Sequence, residues 1–416
     1  MNLLYNISIF FYYLSILLVN PFHAKAKKWI NGRKNIFQKL EVAIPKNEKI
    51  VWFHAASLGE FEQGRPLIEG FRKKYPEFKI LLTFFSPSGY EIRKNDASAD
   101  FIFYLPIDSP ANARRFIRLI NPQLVFFIKY EYWFNYLKVL KNKNVPVFIV
   151  SAIFRPSQHF FQWYGGWFRK MLKNISFFFL QNKNSALLLD KIGLSNFIIS
   201  GDTRFDRVFE VAQRTKEFPL IKEFIKDSKV IVAGSTWIAD EKILAVYFNE
   251  NKNPLKLIIA PHEIHEEHIQ QLLQLFKNKT LRYSGINQEN IHEADILIID
   301  NIGILTHLYQ YGHIAYIGGG FGKGIHNILE AATFGLPIVF GPHYQKFDEA
   351  NELVRREGAF TIEDIKGFNK TIDGFIENPD FYMKTSAISK AFVTESIGAT
   401  EKILFSIKEF VPKLEN

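Results

Sequence analysis

At 416 residues, 47% hydrophobic and 23% charged, the chain is globular in composition and too long for one ordinary core, so two domains are expected. It has no cysteine, which excludes disulfides, thiolate zinc sites and thiol nucleophiles. The net charge of +10 is uneven: residues 1–206 carry 29 Lys and Arg against 14 Asp and Glu, the remainder 23 against 28. The first half is therefore expected to face an anionic surface, membrane or nucleic acid.

Residues 1–22 carry no charged side chain, and 3–19 are mostly Leu, Ile, Phe and Tyr. About 20 such residues make a helix of about 30 Å, the depth of a bilayer core. Lys25, Lys27, Lys28, Arg33 and Lys34 follow, and by the positive-inside rule they hold the bulk of the protein cytoplasmic behind an uncleaved anchor. No positive charge precedes the apolar run, which argues against a signal peptide. Asn2, Asn6 and Ser8 soften the span and leave a buried or interfacial helix as the rival reading.

Beyond a basic linker, short apolar runs alternate with helical segments, the pattern of parallel α/β domains. Strands are predicted at 50–53, 80–84, 101–105, 124–128, 145–150, 177–180 and 197–199, then at 230–233, 257–259, 296–299, 314–317 and 338–340, with a helical tail from Glu363. This gives two doubly wound Rossmann-like domains, 23–206 and 207–395, with a break near 206–219. The last segment, 396–416, is a candidate to pack back on the first domain. Two such domains in tandem are expected to form a cleft at the carboxyl ends of their strands, where open α/β sheets bind ligands.

The chemistry-bearing motifs fall at those strand ends. In WFHAASLGE, 52–60, Glu60 is placed to take a proton from an attacking hydroxyl, or simply to cap a helix. In KYEYW, 129–133, Glu131 is placed to organise an acceptor or balance charge, with a surface ion pair to lysine as the alternative. Arg114, Arg115 and Arg118 suit lipid phosphates or open solvent, and FFQWYGGWF at 160–168, followed by Arg169, Lys170 and Lys173, suits a headgroup zone or core packing. GDTRFD at 201–206 offers Arg204 as an anion-holding guanidinium or as a solvated linker residue.

In the second half, Gly234-Ser235-Thr236 resembles a small anion nest. APHEIHEEH at 260–268 spaces His262, His265 and His268 three apart, unlike the His-Glu-x-x-His of zincins, and no Asp-x-Asp occurs, so no metal site is expected. The stretch 316–343, YIGGGFGKGIHNILEAATFGLPIVFGPH, reads as strand, glycine loop, helix, turn and strand. Five of the seven residues 318–324 are glycine, which would present bare amides to a phosphate, with the next helix aiming its positive end there. Asn327 and Glu330 would add an amide for phosphate and a carboxylate for ribose hydroxyls. A glycine-rich connection between core elements is the alternative.

Together, HAASLGE at 54–60, FFSPSG at 84–89, GDTRFD, and the glycine loop with HNILEAA and GPH resemble the Kdo (3-deoxy-D-manno-octulosonic acid) transferases of lipopolysaccharide assembly, over nearly the whole chain. The resemblance implies a GT-B fold and an inverting, metal-independent transfer of Kdo from CMP-Kdo to a lipid A precursor of the lipid IVA type. It further implies no cofactor, no nucleic acid, and a place at the cytoplasmic side of the inner membrane. By position, Glu60 matches the general base, while Glu131 and Arg204 match transition-state-stabilising residues, the latter usually lysine. Pro261, His262, the Ile302-Gly303-Ile304 turn, and Asn327, Ile328, Leu329 and Glu330 match the CMP site. His262 stands where arginine is common, and Ile304 and Lys129 where glutamates are usual. CMP, less charged than a diphosphate, would be stabilised by helix amides, Arg204 and Lys323. Two other readings remain: a GT-B enzyme using a UDP-sugar, epimerases of that fold included, and a catalytically silent, membrane-anchored binder of anionic lipid.

Overall fold

Two all-parallel sheets of seven strands carry the chain in a computed structural model that describes residues 1–250 and 254–411. In the first sheet, Ile50–Ala55 (β1), Lys79–Phe84 (β2), Phe101–Tyr104 (β3), Leu124–Ile128 (β4), Val147–Ala152 (β5), Phe177–Leu180 (β6) and Phe197–Ile199 (β7) lie in the order β3-β2-β1-β4-β5-β6-β7. Helices cover both faces, so the central strands are continuous apolar runs. Alternate side chains feed separate cores: Ile50 and Trp52 enter one, Val51, Phe53 and Ala55 the other. Much of the aromatic excess is spent here. Phe53 stacks on Phe126 with centroids 4.7 Å apart, Phe126 on Phe148 at 5.0 Å, and Trp52 meets Phe127 edge-on at 5.1 Å.

The second sheet comprises Lys229–Thr236 (β8), Leu255–Pro261 (β9), Thr280–Arg282 (β10), Ile296–Ile298 (β11), Ile314–Ile317 (β12), Ile338–Phe340 (β13) and Ala359–Thr361 (β14). Its order is β10-β11-β9-β8-β12-β13-β14. All twelve predicted strands are present. The two unforeseen ones, β10 and β14, are three-residue strands at opposite edges, too short and too mixed in polarity to register as apolar runs. In each sheet the chain reverses direction of travel beside the central strand, between β1 and β4 and between β8 and β12. Their carboxyl ends are therefore the crevices that such topology offers to a ligand.

The chain divides into one unit of Met1–Arg207 with the segment from Ile397 onward, and a second of Val208–Ser396. A helix, Thr203–Gln213, runs through the first boundary. From Ile397 the chain belongs to the first unit again: Ile403, Leu404 and Ile407 enter its core, and Phe410 meets Phe148 at 5.1 Å. Asp206 accepts from the amides of Gly398 at 2.6 Å and Thr400 at 2.7 Å, fixing the start of helix Ala399–Ser406. The end of the 396–416 segment, residues 412–416, lies outside the described residues.

Local sequence sets many helix starts. In FFSPSG, Ser86 accepts from the Ser88 amide and Pro87 occupies the first position of helix Pro87–Arg93. Gly89 lies against the Phe84 ring, where a Cβ would come within 2.3 Å.

Candidate active site

Helix Leu58–Lys74 begins just beyond β1, with Ser57 at its N-cap and Glu60 in its first turn. The Ser57 hydroxyl donates to Glu60, so the carboxylate is fixed near the positive end of the helix while remaining half-exposed. Neither side chain caps the helix by a hydrogen bond, so Glu60 serves the helix start by its charge alone and its carboxylate stays available to accept a proton. Glu131, beyond the adjacent strand β4, is only 8% exposed, and it makes no surface pair with lysine: its Oε2 accepts from Trp133 Nε1 at 2.7 Å and lies 3.2 Å from His54 Nε2. Its other oxygen has no protein partner among the described residues and is not sealed from solvent.

His54, the penultimate residue of β1, is fully buried. Its Nδ1 lies 2.9 Å from Thr83 Oγ1 and 3.0 Å from the Thr83 carbonyl, and Thr83 Oγ1 in turn accepts from Trp52 Nε1 at 2.7 Å. Facing a carboxylate, Nε2 carries the hydrogen. A polar thread thus runs from inside the sheet to one oxygen of Glu131. Lys129, two residues before Glu131, takes φ +71°, a left-handed turn uncommon for a side-chain-bearing residue.

Arg204 is neither free nor a linker residue. Its guanidinium donates to Asp202 at 2.7 and 2.8 Å, and Asp202 Oδ1 accepts from Gln63, one turn beyond Glu60 on the same helix, at 2.8 Å. Burial alone would raise the Asp202 carboxyl, but the charge and hydrogen bonds of Arg204 and the Gln63 amide hold it below the usual carboxylate range. Thr203 donates to the Gln63 carbonyl and lies 2.9 Å from Ser151 Oγ. GDTRFD is consequently a hub joining β5, the Glu60 helix and the C-terminal helix.

In the second unit the predicted residues lie beyond the carboxyl ends of β9, β11 and β12. Pro261 ends β9, and the next residue, His262, has its ring 4.6 Å from Trp237 and 4.6 Å from His326. Trp237 Nε1 donates to His326 Nε2 at 3.1 Å, so that nitrogen is an unprotonated acceptor. Burial, then the neighbouring His262, push His326 down to about 4. Gly303 takes φ +96° in the Ile302–Ile304 turn, whose Ile302 is open to solvent. Thr306, in the next turn, donates to Glu330 at 2.7 Å, and Asn327 donates to the other Glu330 oxygen at 3.0 Å. These bonds bring the 302–304 and 327–330 segments together. Ile328 and Leu329 are buried, leaving only their main chain to meet a ligand.

The glycine loop departs from expectation in two ways. Its amides are not all bare: Gly319 N–H donates to Asp240 at 2.9 Å, and Asp240, fully buried, also accepts from Tyr316 Oη at 2.7 Å and the Trp237 amide at 2.9 Å. Burial pushes that carboxyl up despite these donors. Gly318 and Gly320 serve close packing, since a Cβ would stand 2.2 Å from the Ser235 carbonyl and 2.5 Å from the Gly341 nitrogen. Nor does a long helix follow. Leu329–Ala332 is a single turn, delayed by Asn327, whose side chain accepts from the Leu329 amide, and ended by Gly335 at φ +74°. No helix dipole of consequence points at the loop.

The three histidines of APHEIHEEH are separately employed. His262 joins the ring stack, His265 caps helix Glu266–Leu275, and His268 Nε2 meets Glu241 at 2.9 Å while its Nδ1 meets the Glu263 carbonyl at 2.8 Å. Sequence reasoning missed Asp240, Trp237, His326, Gln63 and Trp133 as site members. Trp133 and His326 stood inside the KYEYW and HNILEAA runs without a role of their own, and Asp240 left a local trace as an acid in the first turn after Gly-Ser-Thr-Trp.

The family described as 3-deoxy-D-manno-octulosonic-acid transferase (kdotransferase) matches residues 32–207. A 3-deoxy-D-manno-octulosonic acid transferase of Aquifex aeolicus is 30% identical over 316 residues, 74% of this chain and 80% of that protein. One from Chlamydophila psittaci is 26% identical over 402 residues, covering 94% and 91%. Among solved structures, UDP-GlcNAc 2-epimerase from Neisseria meningitidis superposes with a TM-score of 0.63 at 16% identity, covering 87% of this chain and all of that one, a likeness of fold alone. The paired Rossmann-like sheets are those of the GT-B architecture, and by its sequence the chain belongs to the 3-deoxy-D-manno-octulosonic acid transferase family.

Proposed function

We propose that the chain transfers Kdo from CMP-Kdo to a phosphorylated lipid A precursor of the lipid IVA type, at the cytoplasmic side of the inner membrane, without metal or cofactor. The observation that carries this reading is the family match, supported by the placement of Glu60, Glu131 and Arg204 beyond the carboxyl ends of β1, β4 and β7, where Ser57, His54 with Trp133, and Asp202 respectively hold them.

In this reading Glu60 takes the proton of an acceptor-sugar hydroxyl as its oxygen forms a bond to the anomeric carbon of Kdo. The bond from that carbon to the CMP phosphate oxygen breaks, its electron pair leaves with CMP, and the configuration inverts. The open oxygen of Glu131 faces the positive charge that develops on the sugar, and Arg204 holds a phosphate or carboxylate. In the second unit, Pro261, His262, the Ile302-Gly303-Ile304 turn and the 327–330 segment hold CMP, with Glu330 accepting from ribose hydroxyls and main-chain amides meeting the phosphate. The exposed Lys323 adds charge there. The +15 balance of residues 1–206 suits a phosphorylated lipid.

Purified full-length protein, incubated with CMP-Kdo and a tetraacylated lipid A precursor, should yield a Kdo-bearing lipid by mass analysis, and none from UDP-sugars. Glu60→Gln should lower kcat by about 10²- to 10⁴-fold, the usual worth of a general base, with unchanged thermal unfolding. Full activity in that variant would remove Glu60 from the mechanism.

A further inference from the structure

We propose that the N-terminal helix, Asn2–Val19, lies flat in the surface of an anionic bilayer instead of crossing it. By length and apolarity it is able to cross, and the inference rests on the membrane association in the functional reading above.

Both ends of this helix dock on the first unit. At its start, the Trp167 indole donates to Asn2 at 2.7 Å, the Tyr5 hydroxyl donates to the fully buried carboxylate of Asp108 at 2.6 Å, and the Asn135 amide donates to Asn6 at 2.9 Å. The Tyr5 ring packs on Phe134 and Trp167 at 5.4 and 5.7 Å. Two to three turns later, Tyr12 meets Phe85 at 6.1 Å and Tyr13 meets Trp29 at 6.2 Å, and Ile16 borders a hollow of about 290 Å³ lined by Trp29, Phe85 and Pro87. At ~100° per residue, Asn2, Tyr5, Asn6, Tyr12, Tyr13 and Ile16 share about one third of the circumference. The asparagines that weaken a span thus face protein.

The opposite face is apolar and open, with Leu3, Leu4, Phe10, Phe11 and Leu18 all exposed. A spanning helix puts its ends on opposite sides of a hydrocarbon layer about 30 Å thick. Here first and later turns touch one folded unit, so spanning would drag the Asn2–Trp167 and Tyr5–Asp108 contacts apart or pull that surface into lipid. Lying flat keeps every contact and buries only the outward face at the acyl boundary. The flanks suit that depth. Trp163, 91% exposed, and Tyr164 precede the helix that supplies Trp167, while Phe22, 90% exposed, and the exposed Lys25, Lys27 and Lys28 follow Val19.

The cysteine-free chain allows a direct test in the full-length protein. One variant carries a cysteine in a short polar tag ahead of Met1, the other Lys25→Cys. Both are probed with a membrane-impermeant maleimide in inverted inner-membrane vesicles and in intact spheroplasts. The expected result is labelling of both in inverted vesicles and loss of both labels in spheroplasts. Labelling of the two from opposite faces overturns the inference alone. Absence of the folded protein from the membrane fraction overturns the membrane reading beneath it, and a soluble dimer burying the same face assigns that face to a second copy and also overturns the proposal.

Discussion

His54 illustrates how a fully buried residue fixes the geometry of a neighbour, here the proposed site residue Glu131. Its Nε2 and the Trp133 indole hold one oxygen of Glu131 and leave the other open. His54→Gln, which can place an amide donor near Nε2, should keep most activity. His54→Asn, which cannot reach, should lower kcat by about tenfold or more, or ~1.4 kcal/mol in the barrier, with KM little changed. In a Glu131→Gln background the same substitution should add almost nothing, as a double-mutant cycle would reveal. A full additional loss would mean that His54 serves the fold alone. His268 has a different signature, one of stability. Burial lowers its affinity for a proton, but Glu241 and the Glu263 carbonyl outweigh that and raise its pKa. Its contribution is then fully present below about pH 6.5, the unfolded value, and is lost as pH rises through the raised folded value. His268→Gln should therefore flatten the fall in Tm across that window, measured by calorimetry at a series of pH values. Asp202 runs oppositely: its depressed pKa gives stability above about pH 3.9 that fades on acidification.

Among the elements, the glycine loop shows which part of a motif packs and which part stays free. A methyl at Gly318 or Gly320 would strike backbone, which has no rotamer with which to escape, whereas the nearest heavy atom to a Cβ at Gly322 is 3.6 Å away. Gly318→Ala and Gly320→Ala should each cost at least about 1–3 kcal/mol in denaturant unfolding, while Gly322→Ala should leave stability within a few tenths of that of the parent. Equal tolerance at all three would refute the packing account. Strand positions and the Glu60 elbow were legible because they are local: apolar runs bounded by turns, then a strand running through WFHAASLGE into a carboxylate. What the sequence concealed lies in pairings across it. Asp240 meets Gly319 over 79 residues and His54 meets Glu131 over 77, distances at which one chain offers no periodic signal. The single-turn helix was misread for the opposite reason. HNILEAATF has ordinary helical composition, and only the Asn327 side chain and the left-handed Gly335 cut it short.

For the molecule as a whole, the C-terminal residues matter beyond their number. Ile403 and Ile407 are fully buried and Leu404 nearly so in the core beneath β1 and β4, each worth about 1.5–3 kcal/mol against a total domain stability of about 5–15 kcal/mol. Ending the chain at Ser396 should therefore abolish or sharply lower the unfolding transition of the first unit and spare that of the second, as limited proteolysis and calorimetry would show. Survival of the first unit would make those contacts incidental. The same arrangement governs biosynthesis. Synthesis proceeds from the amino end, so Phe148, Val150 and their neighbours wait with one side uncovered until Ile403, 253 positions beyond Val150, has emerged, and a nascent chain stalled anywhere before Ile403 holds an unfinished first unit on the ribosome.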